Sequence, residues 1–318
     1  MKVIDPGFAV TVQDLGRRGY QHFGVPVAGA MDGFALMAAN HLVGNPLGAA
    51  GLETALAGFQ IFADRDCVVA GAGRGFDLVV DDVFFPLWSS VLVRQGQIVQ
   101  LRAGVDSGWG YLAFSGGIQV PKLLGSSATY LPGRWPGFSS RTLFENDELS
   151  VGKQPQPADL VRLSGRQIPA KLIPPYGNFL LARFIPMSGN EIITKEILNQ
   201  FQIQTYCIEN TSRMAYRLEG NPIPISRTTD ILSEGVGAGV IQLLGSGQPL
   251  VLMRDAQTTG GYRKLGAVIS ADLDKLAQCT SDQARIQFNP TTVQNAQSLW
   301  QRKIASLLSL DWSESKDF

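Results

Sequence analysis

Polar side chains suited to acid–base or anion-binding chemistry are concentrated in one glycine-containing segment, residues 253–272. This segment follows an apolar strand pattern and precedes a helix pattern, so we expect an ordered turn at the end of a sheet. Its two adjacent glycines would let the backbone approach a ligand closely. Candidate catalytic residues here are Asp255, Thr258, Thr259, Tyr262 and Lys264, and candidate substrate-binding residues are Gln257, Gly260, Gly261 and Asp272.

Within this segment the charged residues suggest specific roles. Lys264 and Arg263 are suited to hold an anion, and Asp255 or Asp272 is suited to act as a base or to orient one. A tight polar turn followed by a capped helix would explain the same residues without any chemistry. Composition alone does not choose between these two interpretations.

Two other segments offer candidate ligands. In residues 11–32, the candidates to orient a polar substrate or a partner subunit are Gln13, Asp14, Arg17 and Asp32. The structural alternatives are that Asp14 pairs with Arg17 and that Asp32 caps a helix. In residues 211–239, Arg213 and Glu234 are candidate substrate-binding residues. The forked guanidinium suits a carboxylate or phosphate, but pairing with an acidic side chain is the commoner fate of an arginine.

Several chemistries are not predicted. The sequence has no GxxxxGK[ST] phosphate loop, no GxSxG elbow and no biotin-attachment Met-Lys-Met, and Gly71-Ala-Gly-Arg-Gly75 lacks the flanking spacing of a dinucleotide fingerprint. With two histidines and three scattered cysteines, no metal site is expected. Lysine plus arginine and aspartate plus glutamate each total 27, so no net charge attracts nucleic acid or a membrane.

The sparse cysteines favour a reducing, cytoplasmic location over a secreted disulfide framework. We expect neither a signal peptide nor a membrane-spanning segment.

The elements that must position these residues are predicted to be mainly β-strands with a few short helices. The chain contains 35 glycines and 17 prolines between short apolar runs, which favours many strands and tight turns. Predicted strands include 59–62, 67–70, 76–80, 90–93, 97–102, 240–244 and 249–253. Predicted helices are 32–43 with Asp32 as N-cap, 190–201, 270–277 with Ser270 as N-cap, and an amphipathic helix over 293–308.

An internal similarity favours two related β-barrels. Residues 96–111 align with residues 247–262 without a gap, with identical residues at five of sixteen positions. A polar, proline-rich segment lies between them. We therefore predict an N-terminal β-barrel domain over 1–153, a connecting segment over 154–177, and a C-terminal β-barrel domain with a terminal helix over 178–318.

Separated stretches along nearly the whole chain resemble the allophanate hydrolase subunit 2, or carboxyltransferase-like, family. The most specific stretch is Asp255-Ala-Gln-Thr-Thr-Gly-Gly-Tyr262, continuing to Asp272. The others, in family order, are residues 11–17, 24–32, 39–45, 52–56, 71–73, 111–118, 124–129, 212–214, 216–220 and 233–236.

This resemblance implies two cyclophilin-like β-barrels and a role in a multi-subunit enzyme. The implied activity is ATP-dependent opening of 5-oxoproline to glutamate by a 5-oxoprolinase, in which this chain acts with a B subunit of the allophanate hydrolase subunit 1 type and with an A subunit. It also implies ATP with Mg in the assembled complex, and a chain inactive alone. The family leaves two alternatives: a regulatory protein that antagonises a kinase inhibitor related to the B subunit, and the carboxyltransferase half of a biotin-dependent carboxylase.

Overall fold

The computed structural model describes residues 1–187, 193–224, 232–310 and 312, and the chain divides into two compact units. The first unit contains Met1–Arg17, Asp32–Pro174 and residues from the end of the chain, whereas the second contains Arg18–Met31 and Pro175–Ile304. This division differs from the predicted boundaries. Most of the predicted connecting segment groups with the first unit, and residues 18–31 group with the second.

The first unit is built from two antiparallel five-stranded sheets. Their strand orders are β1-β4-β9-β6-β7 and β2-β3-β10-β5-β8. The ten strands are β1 (Lys2–Asp5), β2 (Thr11–Gln13), β3 (Gly51–Ala55), β4 (Phe59–Phe62), β5 (Cys67–Gly73), β6 (Phe76–Val80), β7 (Val83–Phe85), β8 (Ser89–Val93), β9 (Ile98–Ala103) and β10 (Trp109–Phe114).

Apolar side chains of both sheets form one core in this unit, including Val12, Leu52, Ile61, Leu101 and Phe114. Strand β4 alternates buried and half-buried residues, as expected when only one face is covered. Strands β5 and β10 are buried at every position. The helix α1 (Gly33–Leu42) contacts both of them, which explains why they carry apolar or small residues at every position.

The second unit contains a closed seven-stranded barrel with the order β11-β18-β15-β16-β13-β12-β19. Its strands are β11 (Phe179–Pro186), β12 (Thr205–Thr211), β13 (Ala215–Glu219), β15 (Val240–Leu243), β16 (Pro249–Leu252), β18 (Arg263–Val268) and β19 (Arg285–Pro290). Closure leaves no open edge for strand addition. The strands β14 (Glu234–Gly235) and β17 (Thr259–Gly260) form a separate two-stranded ribbon. The predicted mainly β fold with barrel-like domains is thus confirmed.

Four further α-helices are described: α2 (Pro157–Leu163), α3 (Lys195–Ile203), α4 (Ser270–Ala277) and α5 (Val293–Leu308). Helix α2 lies in the segment predicted as an irregular connection. The predicted 190–201 helix begins only at Lys195 with Thr194 as its cap, and residues 190–192 lie outside the described part of the chain. No helix among the described residues is long and apolar enough to cross a membrane.

One predicted cap is wrong. Ser270 is the first residue of α4, and the N-cap position is Ile269, which makes no side-chain capping bond. Asp32, by contrast, caps α1 as predicted, because its carboxylate accepts a hydrogen bond from the Ala35 N–H.

The two aligned segments, 96–111 and 247–262, have similar local structure in their first halves but not in their second halves. Gly96 and Gly247 both adopt positive φ in tight turns, and each precedes a strand, β9 or β16. The two aligned tyrosines differ in burial and in the element where they lie. Tyr111 is fully buried within β10, whereas Tyr262 is half-exposed between β17 and β18.

Candidate functional site

Arg213 and Asp255 form a mostly buried ion pair in the second unit. The guanidinium donates to both carboxylate oxygens, from Nε at 2.8 Å and from Nη2 at 2.9 Å. Nη2 also donates to the Gly29 carbonyl at 2.7 Å, so the pair fixes the 18–31 segment against this unit. The Asp255 N–H donates to the Arg213 carbonyl at 2.8 Å. Two predicted site residues, 42 positions apart in the chain, are therefore brought together.

The ribbon brings together a second group of predicted residues. Glu234 pairs with Gly260 across the two strands, and the Lys264 ammonium contacts the Glu234 carboxylate. Lys264 Nζ also approaches the Gly235 carbonyl at 3.4 Å. The lysine side chain is 14% exposed, whereas the glutamate side chain is 53% exposed. The ion pair thus ties the exposed ribbon to strand β18 of the barrel.

The remaining residues of the glycine-containing turn differ in accessibility. Gln257, Thr259, Gly261 and Tyr262 are exposed, whereas Thr258 is buried and its carbonyl accepts a hydrogen bond from the Val236 N–H. The exposed hydroxyl and amide groups can meet a ligand directly.

Asp272 lies in a separate ion-pair cluster. Its carboxylate accepts hydrogen bonds from Arg183 Nε and Nη2, both at 2.7 Å, and contacts Lys275 Nζ at 2.7 Å. Burial raises the pKa of Asp272, but the hydrogen bonds from Arg183 and Lys275 outweigh it and hold the pKa below its ordinary value. This geometry joins α4 to β11 and leaves the carboxylate saturated with donors.

In the first unit, Asp14 and Gln13 are held by their neighbours. Asp14 accepts hydrogen bonds from the Ser126 hydroxyl at 2.7 Å, the Ser127 N–H at 2.6 Å and the Gly16 N–H at 2.8 Å. Gln13 Nε2 donates to the Thr11 hydroxyl and to the Thr129 carbonyl. The Asp14–Arg17 pair considered from the sequence is not among the ion pairs of the described residues; the Arg17 guanidinium donates instead to the Ala128 carbonyl.

Asp32 adjoins a buried network that the sequence did not single out. The Tyr111 hydroxyl accepts from the Asp32 N–H at 2.7 Å and donates to the Glu53 carboxylate at 2.8 Å. Burial and the nearby carboxylates Glu53 and Asp32 raise the pKa of Tyr111. The tyrosine therefore stays protonated and links β10 to β3 and to the start of α1.

Sequence reasoning also missed Gln242, which lies in β15 and is fully buried. Neither its Oε1 nor its Nε2 has a hydrogen-bond partner among the described residues. A Cβ placed on Gly260 would lie only 2.6 Å from Gln242 Nε2, so the amide lies directly beneath the ribbon. The available signal was a lone polar residue between Ile241 and Leu243 in an otherwise apolar strand.

No group of three His, Cys, Asp or Glu residues in the described part of the chain is arranged to hold a metal ion. Two of the cations predicted to hold an anion, Arg213 and Lys264, are each engaged with a carboxylate.

A family model described as "Carboxyltransferase domain, subdomain A and B" matches residues 23–290. The chain belongs to this carboxyltransferase-domain family. The family resemblance inferred from the sequence motifs is thereby confirmed.

Two curated members are similar over almost their full length. The chain is 31% identical to the 5-oxoprolinase C subunit of Haemophilus influenzae over 309 residues, covering 93% of each chain. It is 32% identical to the 5-oxoprolinase C subunit of Escherichia coli over 282 residues, covering 87% of each chain.

Other carboxyltransferase-domain relatives are larger. The urea amidolyase of Saccharomyces cerevisiae is 28% identical over 325 residues, but the match spans only 17% of that protein. Among solved structures, the urea amidolyase of K. lactis matches with a TM-score of 0.88 and 26% identity, covering 96% of this chain and 19% of that one. The protein TTHA0988 matches with a TM-score of 0.79 and 31% identity, covering 91% of this chain and 55% of that one.

Proposed function

We propose that this chain is the C subunit of a cytoplasmic ATP-dependent 5-oxoprolinase, which opens 5-oxoproline to glutamate together with an A subunit and a B subunit of the allophanate hydrolase subunit 1 type. The observation that carries the proposal is the correspondence with two 5-oxoprolinase C subunits, which for the Haemophilus protein extends over 93% of both sequences. A match of this length covers most of both sequences rather than a short shared module.

The ribbon and the turn after it would contribute to the substrate site. 5-Oxoproline carries one carboxylate and one lactam, so its site needs a cation for the first and hydrogen-bonding groups for the second. Lys264 supplies the cation, and it exchanges its half-exposed partner Glu234 for the substrate carboxylate. The exposed Thr259 hydroxyl and the Gly260–Gly261 backbone lie on the same turn and supply hydrogen bonds.

Asp255 and Arg213 would have a positioning role. Both carboxylate oxygens of Asp255 already accept hydrogen bonds from Arg213, and Arg213 in turn holds the Gly29 carbonyl. A carboxylate held through both oxygens in this way is fixed in position. The pair therefore fixes the shape of the site, and Asp272 similarly fixes α4 through Arg183.

ATP with Mg would bind elsewhere in the assembled complex. The described residues of this chain hold no group of three His, Cys, Asp or Glu residues arranged for a metal ion, and Arg213 is engaged with Asp255. Nucleotide binding and phosphoryl transfer are therefore assigned to the partner subunits, and this chain alone is expected to be inactive.

A second candidate function is a carboxyltransferase half of a biotin-dependent enzyme. The similarity to urea amidolyase, with a TM-score of 0.88 over 96% of this chain, favours it. We rank it below the oxoprolinase because this chain corresponds to a small part of that protein but to nearly the whole of the oxoprolinase C subunit.

The test is reconstitution with separately purified A and B subunits and measurement of ATP hydrolysis that depends on 5-oxoproline. We expect hydrolysis with all three subunits and none when this chain is omitted. A stable complex with the B subunit that shows no 5-oxoproline-dependent hydrolysis would contradict the proposal and favour a regulatory or carboxyltransferase role.

A further inference from the structure

Gln242 is an anomaly in the packing of the second unit. Buried side-chain amides almost always have hydrogen-bond partners, because an unpaired donor or acceptor removed from water is destabilising. Gln242 is 0% exposed, and within the described part of the chain neither of its amide atoms has a hydrogen-bond partner. Gln248, at the turn before β16, shows the usual arrangement: its Nε2 donates to the Gly220 carbonyl and its Oε1 accepts from the Gly220 N–H.

Among the described residues, the ribbon lies against the Gln242 amide, and it contains residues that the sequence singled out. The ribbon strands β14 and β17 contain two residues each, and Gly260 lies directly over the Gln242 amide. Gln242 pairs in register with Lys264 on β18, and Lys264 holds the ribbon through Glu234. The unpaired amide thus lies beneath the polar cluster proposed to bind substrate.

A primary carboxamide has a specific binding complement. It presents a C=O acceptor and an N–H donor side by side, which match the adjacent N–H and C=O of an amide held in the cis arrangement. Ring closure enforces that arrangement in a lactam, and a cyclic ureide presents the same pair. A ligand of this class would satisfy both Gln242 atoms with two parallel hydrogen bonds.

We propose that Gln242 is a substrate-binding residue that recognises a cyclic cis-amide when the β14–β17 ribbon shifts from its closed position. For the lactam of 5-oxoproline the inference rests on the proposed function. Lys264 then binds the substrate carboxylate while Gln242 binds the ring, and the release of Glu234 from Lys264 couples substrate binding to ribbon movement. The step involves only hydrogen bonds and an exchange of ion-pair partners.

Calorimetric binding to the complex of this chain with the A and B subunits provides the test. The probes are 5-oxoproline, 2-imidazolidone as a cyclic ureide, and the lactone analogue of 5-oxoproline, in which oxygen replaces the ring N–H. We expect Gln242→Met to weaken binding of the recognised cyclic amide about 10-fold or more, since two hydrogen bonds are lost. The same variant should remove the preference of the wild type for lactam over lactone.

Two further variants separate recognition from folding. Gly260→Ala places a methyl group 2.6 Å from Gln242 Nε2, so the amide must shift, and binding should weaken although the glutamine is retained. Gln248→Met is the matched control, which removes a paired amide from the same unit and should leave the affinities unchanged. The midpoint of thermal unfolding should not fall in Gln242→Met, because no intramolecular hydrogen bond is lost.

The outcomes distinguish this inference from the proposed function. Wild-type binding of 2-imidazolidone but not 5-oxoproline, with loss in Gln242→Met, would support Gln242 as a cis-amide ligand and contradict the oxoprolinase assignment. Equal affinities of wild type and Gln242→Met, or binding of neither cyclic amide by the wild type, would overturn the inference. An equal loss in Gln248→Met would also overturn it, because the effect would then be structural.

Discussion

At the scale of single residues, Arg213 was predicted to bind substrate and Asp255 to be catalytic, and the structure pairs these two side chains with each other. Arg213 is 14% exposed and Asp255 is 3% exposed at their side chains, so removal of either breaks a nearly buried ion pair. The pair also holds the carbonyl of Gly29. We therefore expect its loss to affect stability first and turnover as a consequence.

Asp255→Ala should lower the free energy of unfolding of the second unit by about 3 kcal/mol, because Arg213 loses both carboxylate contacts. Urea denaturation of the isolated chain measures this change. Arg217→Ala is the control, since Arg217 and Glu209 form an exposed pair at 3.7 Å whose loss should cost less than about 1 kcal/mol. Equal effects of the two variants would contradict the structural role of Asp255.

Lys264 and Glu234 should respond in opposite directions in the assembled enzyme. Lys264→Met removes the cation proposed to bind the substrate carboxylate and should raise KM for 5-oxoproline about 10-fold or more. Glu234→Gln removes the competing carboxylate and should leave KM unchanged or lower it. Steady-state kinetics of both variants decides the point, and an increase in KM for both would show that the ion pair itself, rather than a free lysine, is needed.

The sequence indicated the right kinds of residue here but not their partners. From the sequence, Arg213 could bind a ligand or an acidic residue, and its actual partner Asp255 was predicted separately as a base. The partner of Asp272 proved to be Arg183, which lies 89 positions away. Such pairings follow from strand order in the barrel, which local patterns do not determine.

At the scale of elements, α4 is fixed by two buried carboxylates. Asp272 binds Arg183 of β11 and Lys275, and Asp274 binds Arg254 and Lys303, the latter on α5. The ion pairs of Asp272 lower its pKa in the folded chain despite burial. Its contribution to stability is therefore present above the ordinary aspartate pKa of about 4 and is lost as pH falls through the folded value.

We expect Asp272→Asn to flatten the acid dependence of stability. Wild-type unfolding midpoints should fall below about pH 4, whereas the variant should be less stable at neutral pH and change less with further acidification. Thermal unfolding between about pH 3 and pH 7 measures both curves. Parallel curves would contradict the assignment of this acid sensitivity to Asp272.

The cap of α1 offers a test of Asp32, which the sequence proposed as a substrate ligand. Asp32→Ala should destabilise the first unit by about 1 kcal/mol, because the Ala35 N–H loses its acceptor. Asp32→Asn preserves a capping oxygen and should retain most of the stability. Turnover of Asp32→Asn in the complex then reports on binding, and a large loss with normal stability would identify a role beyond the cap.

Strands were predicted correctly where the pattern of apolar residues was long enough to be recognised in the sequence. Phe59–Phe62 and Phe76–Val80 were predicted at the bounds observed, since apolar residues and flanking turns define them. The two-residue strands β14 and β17 have no periodicity to detect. The ribbon therefore could not be predicted, although it carries Glu234, Thr259 and Gly260.

At the scale of the whole molecule, each of the two compact units is assembled from segments that are not consecutive in sequence. Residues 18–31 precede α1 in sequence yet group with the second unit, where Arg213 and Arg254 hold the Gly29 and Met31 carbonyls. This grouping depends on contacts with residues far away in the sequence, so the composition and periodicity of residues 18–31 themselves do not indicate it.

The central claim is that this chain is needed to convert 5-oxoproline to glutamate. The most direct measurement is release of glutamate from 5-oxoproline by the A and B subunits with ATP and Mg, with and without this chain. The proposed function predicts glutamate release only when the chain is present, and its reduction by Lys264→Met. Glutamate release of equal rate without the chain, or none with all three subunits assembled, would contradict it.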